Sequence, residues 1–110
     1  MGFIKVTDTT GLTVGMKKMV VVNDKEILFT NINNSYYAIS NKCPHMGGSL
    51  VEGSLENGII TCKRHGSKFD VKTGKNVGNA KILFLNFNVN DDQSYPVKVE
   101  GNDIFIELEK

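Results

Sequence analysis

The side chains with the clearest chemistry in this sequence are its two cysteines and two histidines. All four lie in two short stretches, as Cys43-x-His45 and as Cys62-x-x-His65. Thiolate and imidazole are ligands that zinc and iron both accept in proteins. The concentration of all four groups in two stretches predicts one shared metal site, which suits either tetrahedral zinc or a mixed-ligand iron–sulfur cluster.

The order of the ligands within each stretch favours one of these two metals. A structural zinc finger usually pairs cysteine with cysteine and histidine with histidine, whereas each stretch here supplies one of each. That arrangement suits a [2Fe–2S] cluster in which one iron binds both thiolates and the other binds both imidazoles. The pattern therefore favours the iron–sulfur cluster, and zinc is the alternative.

Two longer motifs carry a family resemblance. Residues 43–50 read C-P-H-x-G-G-x-L, and residues 62–70 read C-x-x-H-G-S-x-F-D. Both motifs resemble those of the Rieske family, and specifically those of its soluble ferredoxins. The resemblance implies one Rieske-type [2Fe–2S] cluster per chain, held by the two cysteines and two histidines named above.

Several residues beside the ligands are expected to surround the cluster. Glycines lack a Cβ, so the backbone turns tightly and aims N–H groups at sulfur, while Pro44 stiffens the first loop by fixing φ. Met46 is expected to pack over the cluster and exclude water. The predicted surroundings of the cluster are Met46, Gly47, Gly48, Gly66 and Ser67.

Three positions separate this chain from the high-potential Rieske proteins of respiratory complexes, and a fourth is shared with them. The resemblance places the two extra, disulfide-forming cysteines of that branch at Gly48 and Arg64. That branch also has a serine and a tyrosine that donate hydrogen bonds to cluster sulfurs; Ser67 matches the serine, but Phe69 replaces the tyrosine. Because such bonds raise the potential, the sequence predicts a value in the lower part of the Rieske range of about −150 to +300 mV.

Basic residues flank the ligands on a chain whose formal net charge is only +1. We expect them to form a basic rim that docks against an acidic patch on redox partner proteins, because opposite charges steer association. The alternative is that they are ordinary solvated loop charges. The residues of this predicted rim are Lys42, Lys63, Arg64 and Lys68.

Length and composition are those of a globular protein. The 110 residues, 40% hydrophobic and 23% charged, predict a single domain spanning residues 1–110. The small net charge gives no reason to expect nucleic-acid binding. No apolar run approaches about 18 residues, the length needed to span a membrane. The first residues do not resemble a signal peptide. We therefore expect a cytoplasmic protein with reduced cysteines, monomeric when isolated.

Short alternating segments separated by turn residues predict an all-β fold. Turn signals occur at Asn23-Asp24, Asn33-Asn34, Asn57-Gly58 and Gly101-Asn102. The resemblance implies a small antiparallel β-sandwich or barrel, in which two hairpin loops, about 42–48 and 62–67, form a cluster-binding subdomain. Residues 77–80 resemble the loop that closes over the cluster in this family, with Asn79 in place of its usual proline.

No second catalytic constellation accompanies the metal motif. Both histidines are assigned to iron, no phosphate-binding glycine loop is present, and 110 residues leave no room for the mononuclear-iron domain of Rieske oxygenases. We expect an electron carrier and not an enzyme, working between a reductase, such as a flavoprotein, and a terminal oxygenase or other oxidoreductase. The alternatives are a small subunit of a larger reductase, as in nitrite reductases, and a zinc-stabilised binding module without a redox role.

Overall fold

The computed structural model describes residues 2–43, 48–63, 66–78, 80–82, 85–87 and 91–108, of which 80–82 and 85–87 are described by their backbone alone. Within these ranges the regular structure is β-strand apart from one 3₁₀ helix, Leu50–Glu52, so the all-β prediction is confirmed. No helix in the described ranges is long and apolar enough to cross a membrane. The strands, numbered in chain order, are β1 (Ile4–Asp8), β2 (Lys17–Val22), β3 (Lys25–Ile32), β4 (Ser35–Ser40), β5 (Ser54–Glu56), β6 (Ile59–Thr61), β7 (Lys68–Asp70), β8 (Asn76–Gly78), β9 (Ala80–Ile82), β10 (Leu85–Phe87), β11 (Ser94–Tyr95), β12 (Val97–Glu100) and β13 (Asp103–Ile106).

The described strands form four antiparallel sheets. The basal sheet has the strand order β11-β4-β3-β2, and the cluster sheet, which carries the second ligand loop, has the order β5-β6-β7-β8. A three-stranded sheet, β1-β13-β12, contains the terminal hairpin predicted around Gly101-Asn102, and β9 pairs with β10. The sequence did not reveal the partner of β1, because its pairing with β13 joins residues at opposite ends of the chain, such as Ile4 and Ile106.

Three hairpins of the basal and cluster sheets turn where the sequence predicted. Two consecutive residues with positive φ form each tip, which is the geometry that matches the twist of paired strands. Asparagine and glycine tolerate this backbone conformation better than other residues do. The tips are Asn23-Asp24, Asn33-Asn34 and Asn57-Gly58.

Two hydrophobic cores lie on opposite faces of the basal sheet. In β4 the adjacent residues Ala38 and Ile39 are both buried, Ile39 in the core that contains the two cysteines and Ala38 in the other. The sequence predicted a single core face for β4, and this prediction is wrong because the strand is covered on both sides. The same double cover explains the run of five buried residues in β3, Ile27 to Asn31, since strands covered on both faces lose their alternation.

A short connecting segment, residues 91–95, joins the cluster sheet to the basal sheet. The Asp92 N–H donates to the Gly74 carbonyl at 2.7 Å, and the Ser40 N–H donates to the Gln93 carbonyl at 2.8 Å. The Asp92 side chain is 8% exposed, and its Oδ2 has no hydrogen-bond partner among the described residues. Burial raises the pKa of Asp92 from 3.8 to about 8, partly offset by the Gln93 N–H bond. Burial, and secondarily the Asp92 charge, raises the pKa of Tyr95.

Candidate metal centre

The two cysteines meet in one hydrophobic core. Cys43 and Cys62 are each 2% exposed, and both are thiols. Leu50, Ile60 and Phe69 are fully buried in the same core. These apolar side chains exclude water from the two sulfurs, which is the environment that tunes the potential of a bound metal centre.

Both ligand loops are closed by the same backbone hydrogen bond. The Cys43 N–H donates to the Gly48 carbonyl at 2.7 Å, and the Cys62 N–H donates to the Ser67 carbonyl at 2.7 Å. In each loop the cysteine therefore bonds to the residue five positions later. The two stretches that the sequence singled out thus begin with the same closed geometry, and each aims one sulfur into the shared core.

The supports beneath the two loops differ. The second loop connects β6 to β7 in a regular hairpin, where Ile60 pairs with Phe69 and Thr61 pairs with Lys68. The first loop leaves β4 and returns as the 3₁₀ helix, and the isolated bridge between Lys42 and Ser49 closes its base. The first loop is therefore not the regular hairpin that was predicted, because the returning segment Leu50–Glu52 folds as a 3₁₀ helix and not as a strand.

Ser67 supplies a hydroxyl that suits a cluster sulfur. Its side chain is fully buried, and Oγ has no hydrogen-bond partner among the described residues. A buried hydroxyl without a partner is costly, so such groups usually serve a ligand or water. This orphaned donor, five residues after Cys62 and inside a loop beginning at a buried thiol, fits a sulfur-rich cofactor. The Rieske cluster therefore fits the residues that the structure describes.

Two glycines shape the loops. Gly66 has φ of +79°, a left-handed conformation that favours glycine. Its N–H donates to the Cys62 carbonyl at 3.1 Å, so it shapes the turn and does not point its N–H at sulfur as expected. Gly53 was not predicted as part of the site, although an added Cβ there would lie 1.8 Å from the Thr61 carbonyl oxygen. The only sign in the sequence was a lone glycine beside Ser54.

The predicted histidine ligands, His45 and His65, lie outside the residues that the structure describes. The described ranges hold no group of three or more His, Cys, Asp or Glu side chains that could bind a metal ion. The other predicted residues outside the described ranges are Pro44, Met46, Gly47, Arg64 and Asn79.

The described members of the predicted basic rim are all exposed. Lys42 and Lys63 are solvent-facing, as is Lys68. The Lys68 ammonium donates to Thr61 Oγ1 at 3.1 Å, and its methylenes lie over Gly78, where an added Cβ would be 3.2 Å from them. Lys68 is therefore partly held on the cluster sheet, which leaves Lys42 and Lys63 as the more available charges.

Comparison with known proteins agrees with this geometry. Residues 3–82 match the Rieske [2Fe-2S] domain family. The ferredoxin component of the alkene monooxygenase system of Xanthobacter autotrophicus is 32% identical over 108 residues, 97% of this chain and 82% of that protein. The ferredoxin component of biphenyl 2,3-dioxygenase of Rhodococcus jostii is 30% identical over 109 residues, 99% of this chain and 95% of that protein.

A solved structure shows the same fold. The ferredoxin of carbazole 1,9a-dioxygenase from Nocardioides aromaticivorans superimposes with a TM-score of 0.81 and 28% identity, covering 96% of this chain and 97% of that one. The chain therefore belongs to the Rieske [2Fe-2S] domain family. The cofactor of this family is the Rieske-type cluster, so the resemblance carried by the two ligand motifs is confirmed.

Proposed function

We propose that this chain is a one-electron carrier and not an enzyme: a ferredoxin that takes electrons from a reductase and passes them to an oxygenase or other oxidoreductase. The observation that carries this proposal is the pair of identically closed loops that bury Cys43 and Cys62 in one core. The relatives above are ferredoxin components of oxygenase systems, which supports partners of this kind.

The proposed ligands divide between the two irons by type. Cys43 and Cys62 would hold one iron, and His45 and His65 would hold the other. When bound, the cluster supplies reversible one-electron storage. Two neutral imidazoles in place of two thiolates remove two negative charges from the ligand set, so the histidines make reduction easier than four cysteines would.

The surrounding residues set the potential within the family range. Leu50, Ile60 and Phe69 exclude water from the thiolates. Ser67 Oγ donates a hydrogen bond to a cluster sulfur in this proposal, which its lack of a partner among the described residues supports. Phe69 has no hydroxyl to add a second such bond, which supports a potential in the lower part of the Rieske range.

The remaining features of the proposal concern how the protein works with its partners. Residues 1–110 act as one domain, the isolated chain is a monomer, and its reduced thiols suit the cytoplasm. Lys42, Lys63, Arg64 and Lys68 form the docking rim. Met46, Gly47, Gly48 and Gly66 complete the surroundings of the cluster.

Metal analysis and EPR spectroscopy of the purified chain test this proposal. We expect a red-brown protein with about two irons and two acid-labile sulfides per chain. The reduced form should give a rhombic EPR signal with an average g below the value of all-cysteine ferredoxins. A colourless protein that holds one zinc ion would overturn the proposal in favour of the zinc-stabilised module.

Ligand variants make the assignment specific, because the sequence contains no spare cysteine or histidine. Cys62→Ser and His65→Ala should each lose the characteristic spectrum, whereas Ser67→Ala should keep it. His65→Cys should move the average g and the potential toward those of an all-cysteine cluster if a cluster assembles. A His65→Ala protein with the wild-type spectrum would remove His65 from the ligand set.

A further inference from the structure

Asn41 is a fully buried amide whose side chain lies at the base of the first ligand loop. Its Nδ2 donates to Glu26 Oε1 at 3.1 Å and to Ser49 Oγ at 2.9 Å. Its Oδ1 accepts a hydrogen bond from the Val51 N–H at 2.8 Å. One side chain therefore connects β3, which carries Glu26, with the chain that returns from the loop.

The backbone of Asn41 makes the same connection. Its N–H donates to the Glu26 carbonyl at 2.8 Å, and its carbonyl accepts a bond from the Leu50 N–H at 2.7 Å. Asn41 comes just before the loop of residues 43–48, and Leu50 comes just after it. Asn41 thus holds both ends of the first ligand loop to the beginning of β3.

The first ligand loop depends on the hydrogen bonds of Asn41, because it has fewer paired strand residues beneath it than the second loop has. The second loop stands on three paired positions of β6 and β7, whereas an isolated bridge between Lys42 and Ser49 closes the first. A single bridge leaves the N–H groups of the returning 3₁₀ helix without a strand partner. Asn41 supplies the acceptors for two of them, those of Leu50 and Val51.

We propose that Asn41 is a positioning residue of the metal centre: its side-chain amide fixes the first ligand loop, and with it Cys43, on the basal sheet. The inference rests on the proposed ligand set. We call the hydrogen bonds of the Asn41 side chain to Glu26, Ser49 and Val51 the clamp. Ligand orientation and the exclusion of water tune a metal site. Loosening the clamp therefore changes the spectrum and the potential of the bound cluster and speeds the loss of iron.

The contacts require an amide and not merely a side chain of this size. Oδ1 faces an N–H, and Nδ2 faces the Glu26 carboxylate, so the orientation of the amide is unambiguous. Asn41→Asp would place an oxygen of a new carboxylate against the Glu26 carboxylate, and the two negative charges would repel. The Ser49 hydroxyl would tolerate that change, because a hydroxyl can donate as well as accept. The repulsion would therefore be confined to the contact with Glu26.

Asn31 provides a matched control. It is also a buried asparagine, 1% exposed, and it lies in β3, the strand to which Asn41 is bonded. Its Nδ2 donates to the Leu12 carbonyl and its Oδ1 accepts from the Asn34 N–H, both at 2.9 Å. Among the described residues, its hydrogen bonds go to Leu12, Asn34, Gly15 and Met16, none of which belongs to a ligand loop. Asn31→Leu therefore removes buried amide hydrogen bonds from the same sheet without touching the metal centre.

The experiment compares holo-protein carrying Asn41→Leu, Asn31→Leu, Asn41→Asp, and Asn41→Asp combined with Glu26→Gln. Three quantities are measured for each: the EPR g values, the reduction potential and the rate of iron loss to a chelator. Urea unfolding gives the global stability. Hydrogen exchange of the peptide that contains Val51 reports whether the clamp itself has opened.

We expect Asn41→Leu to lose iron about tenfold faster than an Asn31→Leu protein of comparable stability, because orphaned buried partners favour the open loop. Its EPR g values should change, and its potential should rise because water reaching the cluster stabilises the more negative, reduced state. Asn31→Leu should keep the wild-type spectrum and potential. Asn41→Asp should behave like Asn41→Leu, and the added Glu26→Gln should restore the slow loss of iron, since the introduced amide donates to the new carboxylate.

The inference would be overturned if Asn41→Leu kept the wild-type g values and lost iron only as fast as its global stability predicts, as Asn31→Leu does. If Asn41→Leu retains no cluster, the aspartate pair decides: rescue by Glu26→Gln supports the clamp, and equal iron loss with and without it overturns the clamp. A wild-type protein without a Rieske spectrum would instead overturn the proposed function.

Discussion

Gly53 lies directly against Thr61: a Cβ added at position 53 would be 1.8 Å from the Thr61 carbonyl oxygen. Thr61 is the last residue before Cys62, and Gly53 follows the 3₁₀ helix that returns from the first ligand loop. The two halves of the metal centre therefore touch here through backbone atoms, with no flexible side chain that could move aside.

Gly53→Ala should be strongly destabilising, by about 3 kcal/mol or more, because overpacking against backbone is relieved only by moving a strand. Urea unfolding and the iron content per chain measure the effect. Gly11→Ala is the control, since its φ of +81° strains alanine but nothing lies within 4 Å of the added Cβ; its cost should be only about 1 kcal/mol. Equal stability of the two variants would show that β6 yields at Thr61 without penalty.

The hydroxyl of Ser67 should tune the potential. Ser67→Ala should lower it by on the order of 60 mV, since a hydrogen bond to a charged group is worth about 1.5 kcal/mol and 59 mV corresponds to a tenfold change for one electron. Phe69→Tyr should raise the potential if the buried ring directs its new hydroxyl to sulfur. Voltammetry of both variants, with iron content as the control for an intact cluster, measures the two shifts. Unchanged potentials in both variants would mean that Ser67 only shapes the turn and does not tune the potential.

Much of the metal centre could be predicted because its chemistry resides in residue types and short spacings. Cys43 and Cys62 stood out by composition alone, and Ser67 by its place in the second motif. Gly53 and Asn41 could not be found in this way. Their roles depend on Thr61 and Glu26, partners that only the tertiary structure brings into contact with them.

The fold shows the same division between local and distant information. Asn33-Asn34 and Asn57-Gly58 predicted their turns because positive φ is a local property of asparagine and glycine. The double burial of β4 could not be read from the sequence, because Ala38 and Ile39 look like part of an ordinary alternating strand. Their burial follows from two other sheets packing on opposite sides of the basal sheet.

Asp92 should make stability fall as pH rises. Its pKa is raised from 3.8 to about 8 in the folded chain, so the folded state holds a proton between these values that the unfolded state releases. The stability that protonated Asp92 contributes is therefore fully present below about pH 4 and is lost toward about pH 8, with a slope approaching roughly 1 kcal/mol per pH unit. Urea midpoints across this range measure the slope.

Asp92→Asn should flatten this profile and stabilise the protein most at the alkaline end, because the neutral amide needs no proton. Its oxygen retains the bond from the Gln93 N–H. Asp91→Asn is the control, since that exposed neighbour accepts a similar bond from the Asn76 N–H; the wild-type slope should persist. A profile of Asp92→Asn parallel to that of wild type would mean that the buried carboxyl does not control the pH dependence.

The charges around the ligand loops should determine how fast the reductase and this protein associate. Lys63 is exposed immediately after Cys62, and Arg64 precedes a proposed ligand. Lys72 is also exposed but lies in the turn whose Val71 N–H donates to the Gly58 carbonyl, at the end of β6 opposite Cys62. The chain thus offers basic side chains to reverse at the proposed docking rim and another away from it.

Lys63→Glu with Arg64→Glu should slow reduction by the reductase at low salt and flatten its dependence on ionic strength. The reason is that the rim attracts an acidic partner over a Debye length of about 8 Å at physiological ionic strength, and added salt screens that attraction. Stopped-flow rates across a salt series measure the effect, after the EPR spectrum and potential of the variant are shown to match wild type. The rate of reduction of the Lys72→Glu variant should fall with rising salt as steeply as that of wild type. Rates of the double variant that coincide with wild type at every ionic strength would show that electrons enter through another surface.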